Sequence, residues 1–501
     1  MILSSVVPGG YTAVEPSSTL PAVDHMSDRD LPEGWARATL GALAQRITKG
    51  STPTSYGFEY QTSGIRFVKV ENLRDGRIDH SSLRHFISDE AHQAQSRSIL
   101  REGDILFSIA GTLGQTCEVH PQDLPANTNQ ALAIVRGTGS SLDARFLRFV
   151  LSSEIARGVV AEQARGAGMN NISLADVAAI ELPLPPLAEQ RRIVEKVEEL
   201  LAHVNAARDS LAKIPSILKR FRQSILSSAC SGRLTEDWRE ADNADDIPSG
   251  WVWVTPTDLA EPVPNALTIG PFGSNLKVSD YQEAGVPLVF VRDIRAEAFG
   301  GPMTRFISRE KARELSSHIV RPGDLLLTKM GEPPGDTAVY PAGRPDAVIT
   351  ADCIKLTPRR EVATGAYLRF CFRAEPARAQ IIEQTMGVAQ QKLSLARFRQ
   401  VRLPLPPLAE QHEIVRRVEA LFAVVDAIEN RVAQASARAD RLTQSILAKA
   451  FRGDLVPTEA SLARASSRPY ESAAELLARM QSEHRTRMSS APPSHDKSLL
   501  S

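Results

Sequence analysis

The sequence predicts an α+β fold built twice: two mixed α/β units, each followed by one long helix, the two helices pairing antiparallel as a coiled coil. Three observations carry this. LPLPPLAEQ stands at residues 182–190 and again at 403–411, an offset of 221. After each copy an apolar stripe steps by alternating fours and threes for about four to five heptads. Before each copy, short strand-like segments alternate with Gly-rich turns and shorter helical stretches.

The repeat reaches well beyond the nonapeptide. Ile193, Val197, Leu200 and Val204 recur as Ile414, Val418, Leu421 and Val425. QSIL at 223–226 recurs at 444–447, and Gly232 as Gly453. Upstream, LPEGW (31–35) pairs with IPSGW (247–251), GIRFVKVENLR (64–74) with GVPLVFVRDIR (285–295), and REGDILFSIAG (101–111) with RPGDLLLTKMG (321–331). A period this long is the duplication of a whole module, not a solenoid. The helices are held nearly fixed between the copies while the globular units have drifted. Mating helices and differently reading units would diverge in that way.

Pro183, Pro185 and Pro186 stiffen an extended lead-in, after which Ala188-Glu189-Gln190 starts the first helix. The stripe then reads Ile193, Val197, Leu200, Val204, Ala207, Leu211, Ile214, Leu218, Phe221, Ile225, and in the second copy Ile414, Val418, Leu421, Val425, Ile428, Val432, Ala435, Ala439, Leu442, Ile446. About 40 residues of helix span roughly 60 Å and need a partner to bury the seam. Gly232 and Gly453 are natural stops, and Pro215 interrupts the interior of the first helix and should kink it.

Strand candidates are Ile65–Val70, Asp104–Ile109 and Ala131–Val135, then Pro287–Val291, Asp324–Thr328 and Ala347–Ile349. The predicted segments are an extension at 1–30 without order, a first globular unit at 31–181, a helical spacer at 182–234, a linker at 235–246, a second globular unit at 247–402, a second spacer at 403–458, and a disordered tail at 459–501 with one short helical candidate at Ser472–Gln481.

Composition narrows the function. Lys+Arg 59 balances Asp+Glu 59, so any nucleic-acid surface is a local patch and not a basic coat. Cys117, Cys230, Cys353 and Cys371 lie far apart and offer neither a disulfide framework nor a cysteine zinc site. No apolar run has the length of a membrane span, and the N-terminus fails as a secretory signal, so a cytoplasmic protein is expected. No phosphate-binding G-x-x-x-x-G-K-[ST] loop, G-x-S-x-G elbow or H-E-x-x-H helix is present, so binding without catalysis is expected and no metal or catalytic residue is assigned.

The loops instead carry amide and basic side chains among small residues, a pattern shared by plain solvated surface and by a surface that contacts DNA. The candidates for DNA contact are Lys49, Ser51, Thr52, Lys69, Asn72, Arg74, Thr112, Asn129, Asn170 and Asn171 in the first unit. In the second they are Ser274, Asn275, Lys277, Arg292, Arg295, Lys329, Gln390, Gln391 and Lys392. Arg, Lys, Asn and Gln read base edges, and Gly and Ser let backbone amides approach phosphates.

The assembly resembles the specificity subunit of Type I restriction–modification systems. The doubled LPLPPLAEQ, the helix with Gln-Ser-Ile-Leu ending at a glycine, and the unit-opening Pro-x-Gly-Trp at 32–35 and 248–251 carry the match, over about residues 31–458. GDILFSIAGTLG at 103–114 and IGPFGSNLK at 269–277 are similar to its target-recognition domains. The resemblance implies that each unit reads one half of a split, asymmetric DNA site. It implies that the helices space the units and dock modification subunits, two of them, through Leu187, Gln190, Val197, Leu200, Val204, Leu408, Gln411, Val418, Leu421 and Val425. S-adenosylmethionine, ATP and Mg would belong to the modification and restriction subunits, leaving this chain without a cofactor. Two rivals remain at this stage: a scaffold that binds no DNA, and a fused enzyme with unrecognised motifs.

Overall fold

The computed structural model describes residues 31–137, 141–158, 171–239, 247–294, 299–331, 333–385 and 392–490. It divides into two compact units, residues 1–208 with 437–501, and residues 209–436. The division falls within both long helices and not at their starts, because the first turns of each helix pack into the globular unit that precedes them.

In the first unit a four-stranded antiparallel sheet runs in the order Arg46–Lys49, Leu132–Arg136, Ile105–Ser108, Thr116–Glu118. Side chains alternate between its faces. Ile105, Phe107, Ala133 and Val135 face helix α1 (Ala144–Leu151) and the long helices, in a core with Phe146, Val150, Ile193, Val197, Ile446 and Phe451. Leu106, Leu132 and Ile134 face the other way, onto Val68, Cys117 and Ala126. A second sheet pairs Ile65–Val68 antiparallel with Phe86–Ile87 and parallel with Ala126–Thr128. The opening strand Ala36–Thr39 pairs with Glu181–Leu184, the proline-rich lead-in.

The second unit repeats this plan. Its four-stranded sheet runs Leu267–Ile269, Cys353–Leu356, Leu325–Thr328, Thr337–Val339. Val286–Val289 pairs antiparallel with Phe306–Ile307 and parallel with Ala347–Ile349, and Val252–Val254 pairs with the lead-in Leu403–Leu405. Leu325, Leu327 and Ile354 share a core with Tyr367 and Phe370 of α3 (Gly365–Arg373), and with Leu218, Ile225, Ile414 and Val418 of the long helices.

Those helices are α2 (Leu187–Cys230) and α4 (Leu408–Arg452). α2 continues through Pro215. In the first unit Arg192 pairs with Glu459 and Arg208 with Asp440; in the second Arg222 pairs with Asp426 and Asp237 with Arg417, so within each unit rising numbers along and just past α2 meet falling numbers along and just past α4. The seam departs from the expected stripe at Ala207, which is exposed, and at two corresponding aromatic and aliphatic positions. Phe221 is 45% and Leu442 49% exposed. One residue on, Arg222 and Thr443 are half-buried in their stead, between the stripe residues Leu218 and Ile225 and between Ala439 and Ile446. A helix of 3.6 residues per turn drifts off a strict seven-residue repeat, and the inward face follows the helix.

Both helices stop at a glycine with left-handed backbone: Gly232 (φ +78°) and Gly453 (φ +82°). A Cβ would come 2.3 Å from Pro248 at Gly232 and 2.4 Å from Pro32 at Gly453, so only glycine lets the chain turn back onto each Pro-x-Gly-Trp segment.

The expectation of a disordered C-terminal tail is corrected. α5 (Glu459–Ser466) and α6 (Ala473–Ser490) follow the second stop. Ala473 and Leu476 are fully buried in the first unit, with Leu477 and Met480 packed beside them at helical spacing. The Ala473 N–H donates to the Gly34 carbonyl at 2.8 Å. Residues 1–30, 240–246 and 491–501 lie outside the described residues.

Candidate nucleic-acid interface

One turn organises the polar loops of each unit. In the first unit it is Thr128–Ala131. The Thr128 hydroxyl donates to the Val68 carbonyl at 2.8 Å, tying the ends of the two parallel strands together. Gly50, just past Lys49, lies so close that a Cβ would stand 2.0 Å from the Thr128 carbonyl oxygen. The Thr52 hydroxyl donates to Gln130, Ile109 N–H donates to the Ala131 carbonyl at 2.9 Å, and Ala110 bridges to Asn171. Lys49, Ser51, Thr52, Lys69, Thr112, Asn129 and Asn171 therefore leave from one rim.

The second unit builds the same rim around Thr350–Cys353. The Thr350 hydroxyl donates to Val289 at 2.8 Å, and a Cβ on Gly270 would stand 1.9 Å from the Thr350 carbonyl. Lys329 N–H donates to the Asp352 carbonyl at 2.7 Å, its ammonium reaches the Ala351 carbonyl at 3.4 Å, and Met330 bridges to Lys392. Ser274, Asn275, Lys277, Arg292 and Lys392 are exposed at this rim, and Lys329 half-buried. The Arg292 guanidinium lies over the Phe290 ring at 4.7 Å and donates to the Thr304 hydroxyl.

Two candidates do not belong. Asn72 is 2% exposed: its Oδ1 accepts from Lys69 N–H at 2.9 Å, and its Nδ2 donates to the Ser82 carbonyl and hydroxyl. Both of its amide hydrogens and its carbonyl oxygen brace a turn. The matching Asp293 accepts from Phe290 N–H at 2.8 Å, and burial pushes its carboxyl up. Arg74 is exposed on a hairpin whose Gly76 carbonyl accepts from Glu118, at the opposite end of the sheet from Lys49. Asn170, Arg295, Gln390 and Gln391 lie outside the described residues. Lys355, near the rim in sequence, is buried and donates to the Ile319 carbonyl at 2.8 Å.

The expected docking set divides in the same way. Val197, Val204, Val418 and Val425 are buried in the chain's own cores, whereas Leu187, Leu200, Leu408 and Leu421 are half-buried. Gln190 and Gln411 are fully buried, which corrects their assignment to docking. Gln190 accepts from Asp143 N–H and donates to Pro185; Gln411 accepts from Thr364 N–H and donates to Val362 and Pro406. These amides tie each helix start to the cap of α1 or α3. The preceding glutamates are buried as well, Glu189 accepting from the Trp35 indole and Glu410 from that of Trp251, each at 2.9 Å. The doubled motif is thus an internal clasp between helix start and unit opening.

Sequence reasoning missed the exposed apolar side chains at the rim loops: Tyr56 in the first unit, Phe272 and Val278 in the second. Among the described residues no helix is long and apolar enough to cross a membrane, and no cluster of metal-ligating side chains occurs.

Residues 32–215 and 306–435 match the family described as the Type I restriction modification DNA specificity domain. The chain is 30% identical over 436 residues to the Type I restriction enzyme EcoKI specificity subunit of Escherichia coli K12, covering 86% of this chain and 91% of that one. It is 29% identical over 430 residues to the EcoBI specificity subunit of Escherichia coli, covering 84% and 86%. Its fold is similar to a chain solved in a study of complex assembly and conformational transition of the type I R-M system, with a TM-score of 0.64 at 24% identity, covering 85% of this chain and 99% of that one.

Proposed function

The chain belongs to the Type I restriction–modification specificity family, and on that premise we propose that its two units read the two halves of an interrupted, asymmetric DNA site through their matched rims. As a specificity subunit it supplies DNA recognition and no catalysis, and the cofactors belong to the modification and restriction subunits it works with. The observation that carries the bipartite reading is the repeated rim: one Gly-on-Thr contact, at Gly50 and at Gly270, launches a polar loop in each unit. The loops differ in sequence while their supports are alike, as two readers of different half-sites require. The helices act as the spacer between half-sites. The repeated helix surface, with Leu187 and Leu200 matched by Leu408 and Leu421, offers equivalent places for two modification subunits, and the complex acts in the cytoplasm.

The test is the salt dependence of DNA binding by the complex with its modification subunits. Lys49→Ala should weaken binding through the first half-site and Lys277→Ala through the second. A lost phosphate contact lowers the salt slope by about one, and a lost base contact removes about 1–3 kcal/mol of discrimination at one position. Wild-type affinity of both variants at every salt concentration would contradict this placement of the interface.

A further inference from the structure

We propose that Phe272 is an apolar wedge that stacks into duplex DNA at the half-site read by the second unit; the proposal rests on the DNA-reading function above and names a contact within it. Phe272 is 66% exposed. Single exposed apolar side chains are ordinary on protein surfaces, so exposure alone decides nothing. Its setting decides more. Phe272 leaves the sheet two residues after Gly270, the glycine seated on the Thr350 carbonyl, and therefore stands on the rim. Its backbone is held on both sides. Pro271 is buried before it, Asn275 N–H donates to the Phe272 carbonyl at 2.8 Å, and Leu276 is 9% exposed beneath the loop. A ring held out on a braced turn has little backbone freedom to lose on binding.

The neighbours match a nucleic acid. Ser274, Asn275 and Lys277 are exposed on the same loop, and Val278, beside Lys277, is 79% exposed. Apolar wedges that part base steps are flanked by polar and cationic side chains that hold the phosphates, because unstacking needs an anchored backbone on either side. The corresponding loop of the first unit presents Tyr56, 51% exposed, among exposed Thr54, Ser55 and Gly57. An exposed aromatic thus recurs in the rim loop of both units, at non-identical positions, as it would if each ring entered a different base step.

The experiment uses the complex with modification subunits and the DNA site read from the methylated positions in cells carrying the system. Duplexes carry 2-aminopurine at successive positions, and its fluorescence rises when a base is unstacked. With wild-type chain a rise is expected at one step of the second unit's half-site. Phe272→Ala should abolish that rise and weaken binding about tenfold, within the usual range for loss of one stacked base. Phe272→Trp should retain both. The ring is exposed, so neither change threatens folding. Specific binding by wild type with no rise at any position, and equal affinity of Phe272→Ala, would overturn the wedge and leave the DNA-reading function standing. Failure of the wild-type complex to bind the duplex specifically would overturn the function itself.

Discussion

The indole N–H of Trp251 donates to the Glu410 carboxylate at 2.9 Å, joining residues 159 apart in sequence, with both side chains buried. The Thr235 hydroxyl and the Arg239 guanidinium close on the same carboxylate. In the first unit Glu189 takes the Trp35 indole and, from beyond the second helix, the Glu459 N–H at 2.7 Å. The segment after each helix thus completes the clasp of the unit it returns to.

Removing the carboxylate leaves buried donors unpaired. Glu410→Ala should destabilise the second unit by about 3–5 kcal/mol, the usual cost of breaking a buried charged pair. Glu410→Gln, which keeps one acceptor, should cost less. Chemical denaturation of the two variants checks this; equal loss in both would mean that the charge does not matter there.

Leu476→Asp places a charge on the fully buried face of α6. The first unit should lose stability while the second keeps its own, because the buried residues of α6 belong to the first unit. Hydrogen exchange read separately over 36–49 and 325–356 measures this, and unaltered protection at 36–49 would mean that α6 contributes nothing to that core.

Along the helix seam the ranking follows burial. Val418 is 0% exposed and Leu421 half-buried. Val418→Asp should therefore cost more stability than Leu421→Asp, several kcal/mol against about one or two. Equal melting temperatures for the two variants would contradict the seam as observed.

Acid should weaken the root of the second rim loop. His318 hydrogen-bonds the Ile269 carbonyl at 2.8 Å, one residue before Gly270. Burial holds its imidazole below the ordinary value of 6.5, and the nearby Lys355 charge adds to this, while the Ile269 bond opposes. The folded state thus binds the proton less readily than the unfolded chain. Stability is complete above about pH 6.5 and declines as the pH falls through that value. Unfolding of the second unit measured from pH 8 to 5 should show this decline, and His318→Gln should flatten it; identical slopes would remove His318 as the cause.

The repeat made the fold legible. Proline-rich lead-ins, heptad steps and terminal glycines are local signals, and the long helices, their antiparallel pairing and the mixed sheets follow from them. The clasp was not legible, because Trp35 and Glu189 pair across 154 residues and leave no spacing pattern. Asn72 was misread for a related reason. A buried amide that braces a turn and an exposed amide that reads DNA have the same residue type, and only the partners Lys69 and Ser82 tell them apart. Lys49 and Lys277 were found because each follows or precedes a turn signal. Tyr56 and Phe272 carry no such signal, because residue type in a turn does not tell a buried ring from an exposed one. The tail at 459–490 reads as disorder from its Ser, Ala and Arg content, and only the short helical candidate at Ser472–Gln481, where Ala473, Leu476, Leu477 and Met480 share a face, points to the helix found there.

On the proposed function, two units read two half-sites at a separation fixed by the helices. The most direct measurement is methylome sequencing of cells whose chain carries one extra heptad in each long helix, after Ala212 and after Ala433. Seven residues keep the seam in register and add about 10 Å. Both half-sites should stay unchanged, while the unspecified gap between them, about 5–8 base pairs in wild type, lengthens by roughly three base pairs. A changed half-site with an unchanged gap would contradict the account.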